Sequence, residues 1–149
     1  MRIAHALATI ALVSIPILSG CRSGSSASDF TGAWSGKASV INSSGSGEAS
    51  HDWDLVADPT GRMTGNVSYR IQGEQTLTGT DAEGKTVRSD SEQVIGMVDY
   101  DTGTFIMVET DELGTFFGEL LDDGRIRIMQ SQPGPQPVVV HLILSRQAH

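Results

Sequence analysis

The chain has 149 residues, with 10 Lys and Arg against 18 Asp and Glu, a net charge of −8. That balance excludes nucleic acid and anionic lipid headgroups as direct partners, because both need clustered Lys and Arg to neutralise phosphate. One cysteine in the whole chain excludes an internal disulfide.

Met1-Arg2 is a short basic start, and Ile3 to Leu18 is dominated by Ala, Leu, Ile and Val. Charge followed by an apolar run is the order that export machinery reads. His5 and Pro16 interrupt the run, which also falls short of the roughly 20 apolar residues of a spanning helix. Residues 1–20 therefore read as a cleaved signal peptide.

Leu18-Ser19-Gly20-Cys21 ends that segment. The tetrapeptide resembles the lipobox of bacterial lipoproteins, in which small residues fit the signal peptidase and the following Cys carries the lipid. The resemblance implies lipidation of Cys21 by diacylglyceryl and N-acyl (palmitate-type) groups, and thus a protein of the bacterial cell envelope. Two acyl signals anchor durably where one does not. In the family an Asp after the Cys favours the inner membrane; Arg22 departs from that, so the outer membrane is the implied site in a Gram-negative source.

Arg22 to Asp29 is rich in Ser and Gly and has no apolar residue larger than Ala, the composition of a flexible tether. Residues 21–29 are accordingly the lipidated Cys and its tether. The remaining segment, 30–149, is about the size of one domain burying roughly two-thirds of its unfolded surface.

Within 30–149, acidic residues are followed closely by Gly in Asp58-Pro59-Thr60-Gly61, Asp81-Ala82-Glu83-Gly84, Asp111-Glu112-Leu113-Gly114 and Asp122-Asp123-Gly124. Asp side chains cap tight turns and Gly supplies positive φ, so the recurrence predicts successive hairpins. Between the turns, Trp53, Leu55 and Ala57 alternate with Asp52, Asp54 and Asp58, and Met63, Val67, Tyr69 and Ile71 alternate with polar neighbours. Period-two alternation predicts half-buried strands.

The strands expected are 32–41, 50–57, 62–71, 74–80, 85–90, 93–99, 103–110, 114–121, 125–131 and 137–145. The hairpin 74–90 has few large apolar residues, chiefly Leu77 and Val87, and is expected to project from the barrel or cover its mouth. Closure would remove the exposed edges of a hairpin chain. The expected fold is all-β, a single antiparallel up-and-down β-barrel of about eight strands, with a β-sandwich as the alternative.

Gly32-Ala33-Trp34 on the first expected strand resembles the Gly-x-Trp start of lipocalins, avidins and related small barrels. Arg146 after the last strand is similar to the basic residue that packs over that Trp in this calycin-like group. The resemblance implies a barrel-closing cation–π pair between Trp34 and Arg146 and a cavity at the opposite end. The polar biotin-binding set of avidins has no counterpart here.

Trp53, Tyr69, Met63, Phe105 and Met107 are the candidate lining of an apolar ligand pocket, the alternative role for inward side chains being simple core. Asp99-Tyr100-Asp101-Thr102-Gly103 resembles a calcium loop, but Gly comes one place early and Thr110 stands where the closing Glu belongs, so a turn is expected and no metal. His51 lies among Asp52 and Asp54, yet on a strand it points the other way. His141 reads as an isolated barrel residue.

No zinc-ligand spacing, nucleophile elbow or phosphate loop occurs after residue 20. The expectation is a non-enzymatic barrel without cofactor, held to a membrane by its lipid, that binds a small apolar ligand. A protein-binding module such as an inhibitor of an envelope or extracellular enzyme is the alternative, with Asp111, Glu112, Asp122 and Asp123 as conceivable contacts to a basic partner. A hydrolase or isomerase would need inward-facing His and carboxylate side chains gathered at the barrel mouth.

Overall fold

The computed structural model describes residues 24–43, 45–72, 79–80, 86–87, 89–135 and 137–148. The lipobox, Cys21 and the Asp81–Gly84 turn lie outside them.

One helical turn, α1 (Ala27–Phe30), precedes the strands. It is too short to leave a helical period in the sequence, and its first three residues, Ala27 to Asp29, fall in the segment expected to be tether. A local device forms it: the Asp29 carboxylate accepts hydrogen bonds from the N–H and hydroxyl of Ser26 at 2.7 and 2.8 Å.

The strands follow as β1 (Gly32–Asn42), β2 (Gly45–Ala57), β3 (Arg62–Gln72), β4 (Gly79–Thr80), β5 (Thr86–Val87), β6 (Ser89–Asp99), β7 (Thr104–Glu109), β8 (Thr115–Leu120), β9 (Ile126–Gln132) and β10 (Val138–Arg146). Eight of them close into one antiparallel barrel in the order β1-β10-β9-β8-β7-β6-β3-β2. The short pair β4 and β5 forms a sheet of its own between β3 and β6. The barrel expected from the sequence is thus the observed fold; of the apolar-poor hairpin, only residues 79–80 and 86–87, which form the small separate sheet, and 89–90, which belong to β6, are among the described residues. β6 takes in residues 89–92, of which the sequence pattern places 89–90 at the end of the preceding strand and 91–92 in no strand.

The Asp-Gly turns close the hairpins as their chemistry dictates. Asp58 Oδ1 accepts from the Thr60 N–H at 2.8 Å and from its hydroxyl at 2.6 Å, and these bonds hold its carboxyl below the usual carboxylate range. Gly61 has φ +88°, and an added Cβ would come within 2.7 Å of the Val98 carbonyl oxygen. The loop Asp99–Gly103 is likewise a turn, with the Asp99 side chain accepting from the Asp101 N–H.

Alternation turns Trp34, Leu55, Met63, Met107, Ile126, Ile128, Leu142 and Leu144 into the barrel, all fully buried. They fill the end at which β1 begins and β10 finishes. Phe30 from α1 plugs that end, packing edge-on against Phe105 at 6.0 Å and tilted against Tyr100 at 6.1 Å. Trp34 donates its indole N–H to the Phe30 carbonyl at 2.9 Å. The Arg146 guanidinium stands 4.4 Å over the Trp34 ring and donates to the Ser28, Asp29 and Thr31 carbonyls, so it also neutralises the C-terminal end of α1.

Two substitutions test this packing. Phe30→Ala should cost about 3–5 kcal/mol of unfolding free energy by urea titration, because it empties the plug. Gly118→Ala would bring a Cβ within 2.0 Å of Phe105 and should cost about 1–3 kcal/mol, partly recovered when Phe105→Leu is added. A neutral Gly118→Ala would mean that β8 does not approach Phe105 so closely.

Candidate functional site

The opposite end of the barrel is built differently. There the inward positions carry Ala38, Val40 and Ala49 with Tyr69, Ile71, Val138 and Val140, smaller on average than the side chains of the plugged end. They leave a cavity of about 50 Å³ that opens to solvent, with His51, Gln130, Gln132 and Asn42 as its polar lining. That is about one-third of the ~150 Å³ apolar void known to hold benzene, so it fits one end of a molecule and not an enclosed drug-sized ligand.

His51 is 4% exposed, and its Nδ1 has no hydrogen-bond partner. Burial lowers its pKa to about 4, so the ring is neutral at pH 7. The Tyr69 ring lies 5.9 Å from it, tilted by 30°. Burial, reinforced by Glu92 and other nearby carboxylates, raises the Tyr69 phenol well above its ordinary value.

Beside this cavity β6, β7 and the turn after β7 bring Glu92, Glu109 and Glu112 together, with carboxylate oxygens within 4.8 Å of one another. Glu109 is 5% exposed, and its two oxygens accept from the Gly114 N–H at 2.7 Å and the Gln130 amide at 3.0 Å. Gln132 donates to Glu112. Burial first, then the hydrogen bond and charge of Glu109, push Glu92 up to about 9, so one proton is retained in the cluster at neutral pH. Among the described residues, the three strongly shifted groups, His51, Tyr69 and Glu92, thus stand at one end of the barrel, the signature expected of a functional site.

The five residues proposed from sequence as pocket lining separate. Tyr69 lines the mouth cavity, whereas Trp53, Met63, Phe105 and Met107 are packed in the core, Trp53 edge-on against Phe116 at 5.1 Å. Alternation selects the inward face but not the height along the barrel axis, and these four project at the filled levels. The Nε1 of Trp53 is a second buried polar atom without a partner.

His51 does point away from Asp52 and Asp54, which are exposed, while His141 faces solvent. The four acidic residues named as contacts for a basic partner do not form one surface. Asp111 and Glu112 precede β8 and Asp122 and Asp123 follow it, at opposite ends of the barrel, and Asp123 is paired with Arg125 at 2.7 Å.

His51, Glu92 and Glu109 were missed as site residues because they come from three strands. A buried His and Glu amid alternating apolar residues were the available signals. The gathering of inward His and carboxylates named above as a requirement for hydrolysis is present, but no carboxylate orients His51 through Nδ1.

No family model matches the chain, and no curated protein matches it in sequence. Among solved structures it is similar to an S-type phycobiliprotein lyase from Guillardia theta, at 9% identity and a TM-score of 0.46, over 82% of this chain and 90% of that one.

Two of the shifted groups, His51 and Glu92, give opposite pH dependences. His51 is neutral in the fold down to about pH 4 but protonates near 6.5 when unfolded, so its contribution to stability is lost as pH falls from about 6.5 to 4. Glu92 keeps its proton in the fold up to about 9 but ionises near 4.5 when unfolded, so stability declines as pH rises across that window. Denaturant midpoints between pH 7 and 9, where His51 is silent, should fall for the wild type and stay flatter for Glu92→Gln. Parallel curves would show that Glu92 carries no such proton.

Proposed function

We propose that the mature chain is a lipid-anchored, non-enzymatic barrel of the bacterial cell envelope that takes the apolar end of a small ligand into its mouth. The observation that carries this reading is an apolar-walled cavity at the barrel mouth with one buried polar atom, His51 Nδ1, left without a partner. A buried polar atom without a partner is costly, and a ligand hydroxyl or amide donating to Nδ1 would remove that cost. Val40, Ala49, Ile71, Val138 and Val140 would contact the ligand's apolar portion.

Support for a binding role over catalysis comes from the commitments of the other groups. Both Glu109 oxygens already hold protein donors, Glu92 retains a proton, and His51 has no carboxylate on Nδ1 to orient it. The anchor rests on the lipobox, with Cys21 as the lipidated residue and Arg22 favouring the outer membrane in a Gram-negative source.

A second reading follows from the size of the cavity. About 50 Å³ suits a single aliphatic side chain from a protein partner, seated as an anchor in a small pocket.

Native mass spectrometry of residues 22–149, exported into a bacterial envelope and purified without detergent, separates the two. A stoichiometric adduct lost on denaturation is the expected result, and His51→Phe should weaken its retention by about tenfold, the worth of one buried hydrogen bond. A clean mass would overturn the small-ligand reading in favour of the protein partner. For the anchor, Cys21→Ser should move the protein from the membrane to the soluble fraction of cells; unchanged membrane retention would refute it.

A further inference from the structure

The outside of the barrel is uneven. Strand register places Met97, Ile106, Phe117 and Met129 side by side across β6, β7, β8 and β9, and Ile95 beside Val108 in the next row. All six are exposed, Met97 to 58% and Phe117 to 56%. Followed around the barrel, the first row continues as His141, Ser39 and Glu48, all polar. Ile41 and Val139 form a smaller exposed pair on β1 and β10, but the six residues of β6–β9 form the larger contiguous apolar patch, which marks an interaction surface.

The chain's own N-terminal path leads to the foot of that face. Ser25 donates from both its N–H and its hydroxyl to the Tyr100 carbonyl, at 2.8 and 2.9 Å, in the turn joining β6 to β7. Cys21 is four residues earlier, so its Cα, from which a lipid would extend, lies within about 14 Å of Ser25 even with the chain fully extended.

We infer that the outer face of β6–β9 rests on the bilayer that the Cys21 lipid enters, so that the barrel lies on its side at the membrane surface. The inference rests on the lipoprotein reading above.

Charge decides the side against the end. The turns of the plugged end present Asp58, Asp99, Asp101, Asp122 and Asp123, all beside or near the tether, and desolvating five carboxylates is costly. On the sheet face the charges are few. Glu119 is paired with Arg127, and Arg62 sits directly beside Met97 in the register, at phosphate level for a face seated in the headgroup region. Apolar side chains in such a face enter about 5–10 Å into the headgroup boundary. The acidic chain points to a zwitterionic lipid surface.

The test uses the lipidated mature protein, extracted from cell membranes and reconstituted into phosphatidylcholine vesicles containing nitroxide-labelled phospholipid. Acylation occupies the native thiol, so an environment-sensitive fluorophore can be placed on Phe117→Cys, on Met129→Cys, or on Ser39→Cys from the polar part of the same row. Quenching at least about threefold stronger at positions 117 and 129 than at 39 is expected for a face immersed in the interface. Equal or absent quenching in protein that carries its acyl groups overturns the docking and leaves the anchor intact. Protein recovered without acyl groups by mass overturns the anchor and the docking together. A blue shift at 117 that needs no vesicles and grows with protein concentration assigns the face to a second copy of the chain and overturns the inference.

Discussion

The meeting of the first and last strands governs the rest of the molecule. β1 is paired with β2 on one side and with β10 on the other, and its register against β10 sets Trp34 opposite Arg146. The guanidinium over that indole also holds the last carbonyls of α1, which keeps Phe30 in the barrel end. One contact thereby joins closure, register and plug. Gly36 permits the two strands to approach, since a Cβ there would stand 2.1 Å from the Ile143 carbonyl oxygen.

Once closed and plugged, the barrel has an axis along which its character changes. The plugged end buries Phe30, Trp34, Phe105 and large aliphatic side chains, which fill it. Towards the mouth, alanines and valines replace them and polar side chains turn inward. His51, Tyr69 and Glu92 have their proton affinities displaced there because burial removes water faster than the neighbouring side chains replace its hydrogen bonds. The mouth is therefore the place where an incoming polar group gains most.

The outer surface repeats this asymmetry around the circumference. β1 and β2 present Lys37, Ser39, Glu48, Ser50 and Asp52 outward, with Ile41 and Val56 as their exposed apolar residues, while β6 to β9 gather Met, Ile, Val and Phe in adjoining positions. An antiparallel sheet with one face covered by its own core normally alternates with polar residues. The departure on four adjacent strands sets one side of the barrel apart from the rest.

Much of this architecture was legible in the order of residues. Turns at Asp58–Gly61, Asp99–Gly103 and Asp122–Gly124 depend on a few neighbouring dihedrals and side-chain oxygens, and alternation in 53–57 and 63–71 depends only on the pleat. The site was less legible: of five proposed lining residues only Tyr69 reaches the mouth, and His51, Glu92 and Glu109 were not assembled. By itself the sequence determined the strands, their inward faces and the incentive to close. Only the tertiary structure decided the height of each inward side chain along the axis, and which strands stand side by side, because stagger between strands and closure of the ring are relations among distant residues.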